Sequence, residues 1–294
     1  MSAAQRGFLL LCSHLGNPDR DPLTTAQLRQ LTHRVRQAQP QTSLREMVPA
    51  DLTALGYAPS EAERILRLLS DEALLERYLQ KAAALGCVPL VRPAPGYPRS
   101  LRRRLGSDAP GCLWYRGDPA LLQQPLISLV GSRELWPENA GFARQAGLEA
   151  ARQGFVLVSG NARGADKTAQ NACLAAGGRV ISVVADELCR HFRSDVLYLS
   201  EDGFDLPFSA QRALSRNRVI HALGAETLVV QSTHHKGGSW DGTVRNLRAG
   251  WNPVFCFDDH RESTEALLSM GAGRITEDAL ADLRALQPSQ TSFL

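Results

Sequence analysis

At 294 residues, with 44% hydrophobic and 21% charged residues, the sequence has the make-up of a folded soluble chain with one large or two modest domains. No run approaches the ~20 apolar residues of a membrane helix. Met1 to Arg6 offers too little before the short Phe8-Leu9-Leu10-Leu11-Cys12 patch to serve as a signal peptide, so a cytoplasmic location is expected. The formal net charge of +3 excludes binding of polyanions through bulk charge and leaves that role to a local basic surface.

From Gln5 to about Leu85 the apolar residues recur at helical spacing: Phe8, Leu11, Cys12 and Leu15; Leu28, Leu31 and Val35; Ile65, Leu68 and Leu69; Leu74, Leu75, Tyr78 and Leu79. Residues 1–88 are read as a small all-α domain. Ser60-Glu61-Ala62-Glu63 fits a capping box at a helix start. Leu52-x-x-Leu55-Gly56-Tyr57 before it resembles a sterile-alpha-motif or helix-hairpin-helix connection, a module type that touches DNA, or else a plain helical turn. Pro93, Pro95 and Gly96 stop any helix from crossing the next stretch, so residues 89–112 are read as a linker and lead-in. Tyr97 to Leu105 carries four arginines, which suit either phosphate contacts or a solvated helix face.

After a short strand at Leu113-Trp114-Tyr115-Arg116-Gly117 the pattern alternates. Strands are expected at Leu126 to Val130, Phe155 to Val158, Val180 to Val184, Val196 to Leu199, Thr227 to Val230 and Val254 to Phe257. Helices are expected at Asn139 to Gln153, Asp166 to Ala176, Asn217 to Leu223 and Thr243 to Ala249. Such alternation argues for an α/β domain over residues 113–287, a Rossmann-like doubly wound, mostly parallel sheet preceded by the small all-α domain. A helix at Ser263 to Met270, an edge strand at Gly273-Arg274-Ile275 and a capped start at Thr276-Glu277-Asp278 complete it; residues 288–294 read as a frayed tail.

Ligands in such sheets sit beyond the carboxyl ends of the strands, and three loops there share one composition. The first is Gly131-Ser132-Arg133. The second is Ser159-Gly160-Asn161-Ala162-Arg163-Gly164-Ala165-Asp166, with Lys167 beside it and Asp166 placed to cap the helix. The third is Lys236-Gly237-Gly238-Ser239. Glycine, a hydroxyl and a cation at a helix start make an anion site. Arg216-Asn217-Arg218 opens a further helix; the two arginines cannot face the same way, which gives one to the site and the other to a structural bridge with an acid such as Asp166 or Glu201. No catalytic set emerges: His191, His221, His234, His235 and His260 lack partner spacing. The six scattered cysteines fit core thiols, and no metal or cofactor is implied.

Taken in order, these residues resemble the DprA (Smf) family of single-stranded-DNA-binding proteins. The matching stretches are Tyr97-Pro98-x-x-Leu101, Trp114-Tyr115-x-Gly117, Val130-Gly131-Ser132-Arg133, Ser159-Gly160-x-Ala162-Arg163-Gly164-x-Asp166, Ser200-Glu201, Arg216-Asn217-Arg218-Val219-Ile220 and Lys236-x-Gly238-Ser239. Departures include Asn161 and Ala165 in place of apolar residues, Gln170 for histidine, Gln231 for glutamate, Ser239-Trp240-Asp241-Gly242-Thr243 for Ser-Leu-Ile-Thr-Ala, and no room for the winged helix many members carry. The resemblance implies that Arg133 and Lys236 contact DNA phosphates, that the Gly160 and Gly238 loops supply backbone donors, and that a cytoplasmic homodimer helps load RecA recombinase in transformation. Trp240 either stacks on a base or closes its loop against the sheet. Two other readings stay open. One is a nucleotide-ligand sensor or enzyme resembling the cytokinin-activating phosphoribohydrolases, whose Gly-Gly-x-Gly-Thr loop is similar to Gly237 through Thr243 but whose following glutamate is replaced by Val244-Arg245-Asn246. The other is a regulatory, antitoxin-like role in phage defence with a partner encoded by a neighbouring gene.

Overall fold

The helical spacing of the first 85 residues produces five helices in the computed structural model, which describes residues 1–39, 44, 46–201 and 203–286: α1 (Ala3–Cys12), α2 (Thr25–Ala38), α3 (Pro49–Ala54), α4 (Pro59–Ser70) and α5 (Glu72–Ala84). Capping boxes open α1 (Ser2 with Gln5) and α2 (Thr24 with Gln27). The box expected at Ser60 does not form. Pro59 takes the first helical position, for which its fixed φ is suited, Ala58 is the cap residue, and Glu61 reaches back to the Ala58 amide at 3.4 Å. The buried Arg20 ties the bundle together, donating to the carbonyls of Leu10 (2.6 Å) and Leu68 (2.9 Å) and to Asp71 (2.9 Å).

The stretch read as a linker is structured. It holds β1 (Val88–Val91) and α6 (Arg99–Leu105), and β1 pairs antiparallel with β2 (Cys112–Arg116), Val88 opposite Tyr115. Pro89 hid this strand in the sequence, yet β1 is an edge strand, where a missing amide donor is tolerated. Two of the four α6 arginines are structural. Arg102 donates to the carbonyls of Arg92 (2.6 Å) and Ala94 (2.5 Å), and Arg104 donates to those of Ala222 (3.0 Å), Gly224 and Ala225 (3.2 Å).

The remaining elements are β3 (Leu126–Val130), α7 (Pro137–Arg152), β4 (Val156–Ser159), α8 (Ala165–Ala175), β5 (Arg179–Val183), β6 (Val196–Glu201), α9 (Ala210–Ser215), α10 (Asn217–Leu223), β7 (Thr227–Val229), α11 (Gly238–Ala249), β8 (Val254–Phe257), α12 (Glu262–Ser269) and β9 (Gly273–Ile275). One nine-stranded sheet runs β1-β2-β6-β5-β4-β3-β7-β8-β9, parallel from β6 through β9, with β2 antiparallel to β6. Apolar side chains leave both sides of these strands. The N-terminal helices, α7 and α8 cover one face of the sheet, while α6, α10, α11 and α12 cover the other. Tyr78 of α5 joins the helical region to the sheet, its ring 5.3 Å from Trp114 and 4.5 Å from Phe204, with its hydroxyl 2.6 Å from Asp205. Cys87, Cys112, Cys173 and Cys256 are buried thiols. Among the described residues no helix is long and apolar enough to cross a membrane; the tail from 288 lies outside them.

Arg104 lies over the C-terminus of α10, where a cation suits the unpaired carbonyls. Beneath the same helix His221 is fully buried, its Nδ1 3.1 Å from Asn246 Nδ2 and its carbonyl 2.8 Å from Asn252 Nδ2. Burial pulls its pKa down to about 3. Because the folded value lies below the unfolded one, the protein loses stability as pH falls from about 6.5 toward 3, by up to about 1.4 kcal/mol per pH unit from this group. Urea titrations across that range should show the slope reduced by about that amount in His221→Gln; an unchanged slope would mean that His221 is protonated in the fold.

Candidate functional site

Strands β4, β5 and β6 extend the sheet from one side of β3, and β7, β8 and β9 from the other. The chains leaving β3 and β7 therefore turn to opposite faces, which opens a crevice at the carboxyl edge. The groove there has a volume of ≈ 1340 Å³ and is walled by the loops after both strands and by the starts of α8, α10 and α11.

At its base lies a buried ion arrangement. The Asp166 carboxylate, on the first turn of α8, accepts from the amides of Gly160 and Ala162, both at 3.1 Å. Burial pushes its pKa up, while the Arg216 charge and those amides oppose the shift. Arg216, only 8% exposed, donates Nη1 to the carbonyls of Gly160 and Val183. The guanidinium lies so close to Gly160 that an added Cβ would meet it at 2.3 Å, which explains that glycine. Gly164 (φ +82°) is needed both for its left-handed backbone and because a Cβ would lie 2.4 Å from the Ser132 carbonyl.

Further bonds fasten the three loops to one another. The Ala165 amide donates to the Ser132 carbonyl (3.1 Å), and the Ser132 amide and hydroxyl donate to the Gln231 carbonyl (3.0 and 3.2 Å). The Ser239 hydroxyl donates to the Gly131 carbonyl (2.7 Å), and Asn217 Nδ2 to the Gly238 carbonyl (2.8 Å). Gln231 holds the turn before α7 from both ends of its amide, donating to Glu134 O and accepting from Trp136 N, each at 3.0 Å.

The candidate residues consequently divide into two layers. Ser159 is buried and accepts from Gln170 Nε2 at 2.5 Å, so it does not face the groove. The Gly160 amide is committed to Asp166, and Asp166 closes the loop instead of capping its own helix, whose cap residue is Gly164. Arg216 and Asn217 are structural, and Arg218 forms an ion pair with Glu201 at 2.9 Å. Trp240 is 3% exposed inside α11, with His234 and His235 against its ring at 4.8 and 5.2 Å; it closes the loop and offers no stacking face. The Gly237 to Thr243 segment, compared above with a nucleotide loop, forms the cap and first half of α11, and Thr243 is fully buried.

The outer layer is cationic. Among the described residues the side chains of Arg133, Lys167 and Lys236 have no hydrogen-bond or ion-pair partner, and all three are exposed. Arg133 and Lys236 line the groove on facing loops, whereas Lys167 lies outside its lining. Arg163 pairs with Glu134 at 2.8 Å, an exposed contact worth little. Asn161 (φ +61°) borders an adjoining hollow of ≈ 290 Å³ shared with Arg133 and Phe208. Gly237 (φ +87°) caps α11, whose N-terminal amides and dipole open beside Lys236. Sequence reading missed Trp136, 52% exposed at the groove's rim with the Arg261 guanidinium 4.4 Å from its ring centre. Its signal was the following Pro137, which starts α7 and leaves Trp136 outside the helix. The structure also gathers Asp258, His260 and Glu265, a cluster not foreseen, but Arg274 donates to both acids and so already occupies them.

The division between layers has a measurable consequence. Arg216→Met removes two buried charge-assisted hydrogen bonds and the charge that opposes the burial of Asp166, and should cost about 3–5 kcal/mol in urea unfolding, whereas Arg133→Ala should change stability by about 0.5 kcal/mol or less. Equal costs would contradict the assignment.

The family model described as DNA recombination-mediator protein A matches residues 90–283. The DNA processing protein DprA of Streptococcus pneumoniae is 28% identical over 199 residues, which span 60% of this chain and 67% of that protein. A crystal structure of DNA processing protein A from Streptococcus pneumoniae superposes with a TM-score of 0.74 at 23% identity, covering 96% of this chain and 99% of the other. The Helicobacter pylori protein of that name, whose structure is described for its single-stranded DNA binding mode, superposes with a TM-score of 0.54 at 24% identity over 64% of this chain and 90% of its own.

Proposed function

Because the chain belongs to the DNA recombination-mediator protein A family, we propose that the switch-point groove binds single-stranded DNA by its phosphates. The observation that carries this reading is the pair of exposed cations on facing loops, Arg133 after β3 and Lys236 before α11, which have no side-chain partner among the described residues. The guanidinium takes a phosphate in two-pronged fashion and the ammonium acts as a point charge. Gly237, with open space where a Cβ would stand, lets the strand come close to the helix's first amides. Trp136 offers an exposed ring to a base.

The buried layer serves this task indirectly. With Asp166 and Arg216 fixing the loops, the cations need little reordering when a strand arrives, which lowers the cost of binding. Phosphate contacts carry no sequence information, so binding is non-specific and falls with salt. Handing the strand to a RecA-type recombinase as a homodimer is the family-level extension of this reading. The phosphoribohydrolase-like alternative lacks the glutamate those enzymes carry after this loop, the chain having Val244-Arg245-Asn246 there.

Fluorescence anisotropy with a strand of about 20 nucleotides tests the proposal. Replacing Arg133 and Lys236 together by alanine should weaken binding by at least about tenfold at low salt and flatten the slope of log K against log [salt] by about 1.4, or about 0.7 per lost phosphate contact. Unchanged affinity in a normally folded double variant would sink it.

A further inference from the structure

A second concavity lies beside the groove, of ≈ 420 Å³, between α10 and the outer face of α11. The two share Leu214, Asn217 and Gly238 as common walls, so they lie side by side. Its far end is lined by Arg245, Arg248 and Trp251. Arg245 and Arg248 are exposed, and among the described residues their side chains have no hydrogen-bond or ion-pair partner. Three positions apart, they share one face of α11.

Three other arginines on this side of the molecule are held internally. Arg102 and Arg104 are bound to backbone carbonyls, and Arg218 to Glu201. The single carboxylate in the cleft's lining is Asp241, on the first turn of α11, where it complements the helix dipole. Trp251 is half-buried at the end of the cleft, its ring centre 6.4 Å from that of His221.

We infer that this cleft is a second contact segment for the same strand, which leaves the Arg133–Lys236 groove past Gly238 and continues along α11 with its phosphates against Arg245 and Arg248. This rests on the strand-binding reading above. From Gly238 to Arg248 the helix rises about 15 Å, room for at most about four phosphates at about 3.4 Å each. Short strands fill the groove alone; longer ones reach the α11 arginines and a Trp251 edge. The site size is thereby larger than the groove, and its outer part is dispensable for the first contact.

Anisotropy with strands of about 5 and about 20 nucleotides separates this inference from the groove reading. Arg245→Ala with Arg248→Ala should leave the shorter strand's affinity unchanged, weaken the longer one several-fold at low salt, and flatten only the longer strand's salt slope by about 1.4. Quenching of tryptophan emission specific to the longer strand should disappear in Trp251→Phe. Equal weakening at both lengths, or none at the longer length, overturns the second segment while leaving the groove intact. A native protein that binds neither length overturns the groove reading itself and this inference with it. Both arginines are on the surface, and thermal melting of the double variant should match the native protein.

Discussion

A buried guanidinium and a buried carboxylate, Arg216 and Asp166, both bonded to the backbone of Gly160 at the floor of the crevice, set the geometry of everything above them. Taking Arg216 and Asp166 out of water is costly, and backbone hydrogen bonds offset part of that cost: the carboxylate accepts from the amides of Gly160 and Ala162, and the guanidinium donates to the carbonyls of Gly160 and Val183. Both charges therefore grip the same loop from opposite sides. Remove one, and the other has no solvent to turn to. The tightness also explains why residue 160 has no side chain, since any Cβ would occupy the guanidinium's place.

From that floor the loops are built upward by hydrogen bonds between neighbours. Ser132 bonds with Gln231 and Ala165, Ser239 with Gly131, and Asn217 with Gly238, so that residues which looked like ligand contacts are fasteners. What remains for a ligand is a thin cationic layer. With a formal net charge of only +3, the molecule neutralises many of its arginines locally: Arg163 on Glu134, Arg218 on Glu201, Arg261 on Glu138 and Arg274 on two acids. Among the cations that have no internal partner among the described residues, Arg133 and Lys236 line the groove and Arg245 and Arg248 the cleft beside it.

Much of this was legible in the chain itself. Runs such as Leu126 to Val130 and Val254 to Phe257 lie where expected, as does α10 from Asn217 to Leu223, because buried parallel strands and short amphipathic helices leave unambiguous patterns. The convergence of three loops on one sheet edge also followed from their places after strands of a parallel sheet. Side-chain direction did not. Ser159 and Arg216 have the residue types of an anion site, but their orientation depends on a partner far away in sequence, Gln170 or the Gly160 carbonyl. Trp240 and Trp136 illustrate the same limit: the glycines before Trp240 read as loop, yet Gly238 already belongs to α11 and turns the ring inward, while Pro137 leaves Trp136 outside its helix. The edge strand β1 was concealed by its own proline.

Amide hydrogen exchange with and without a single strand separates the two layers most directly. The Gly160 and Ala162 amides, held by Asp166, should be protected before any DNA is added and change little afterwards. New protection should appear in residues 131–136 and 233–239, the walls that carry Arg133, Trp136 and Lys236. Rapid exchange at Gly160 and Ala162 in the free protein that slows only with DNA, or added protection confined to other parts of the sheet, would contradict a preformed floor beneath a phosphate-gripping rim.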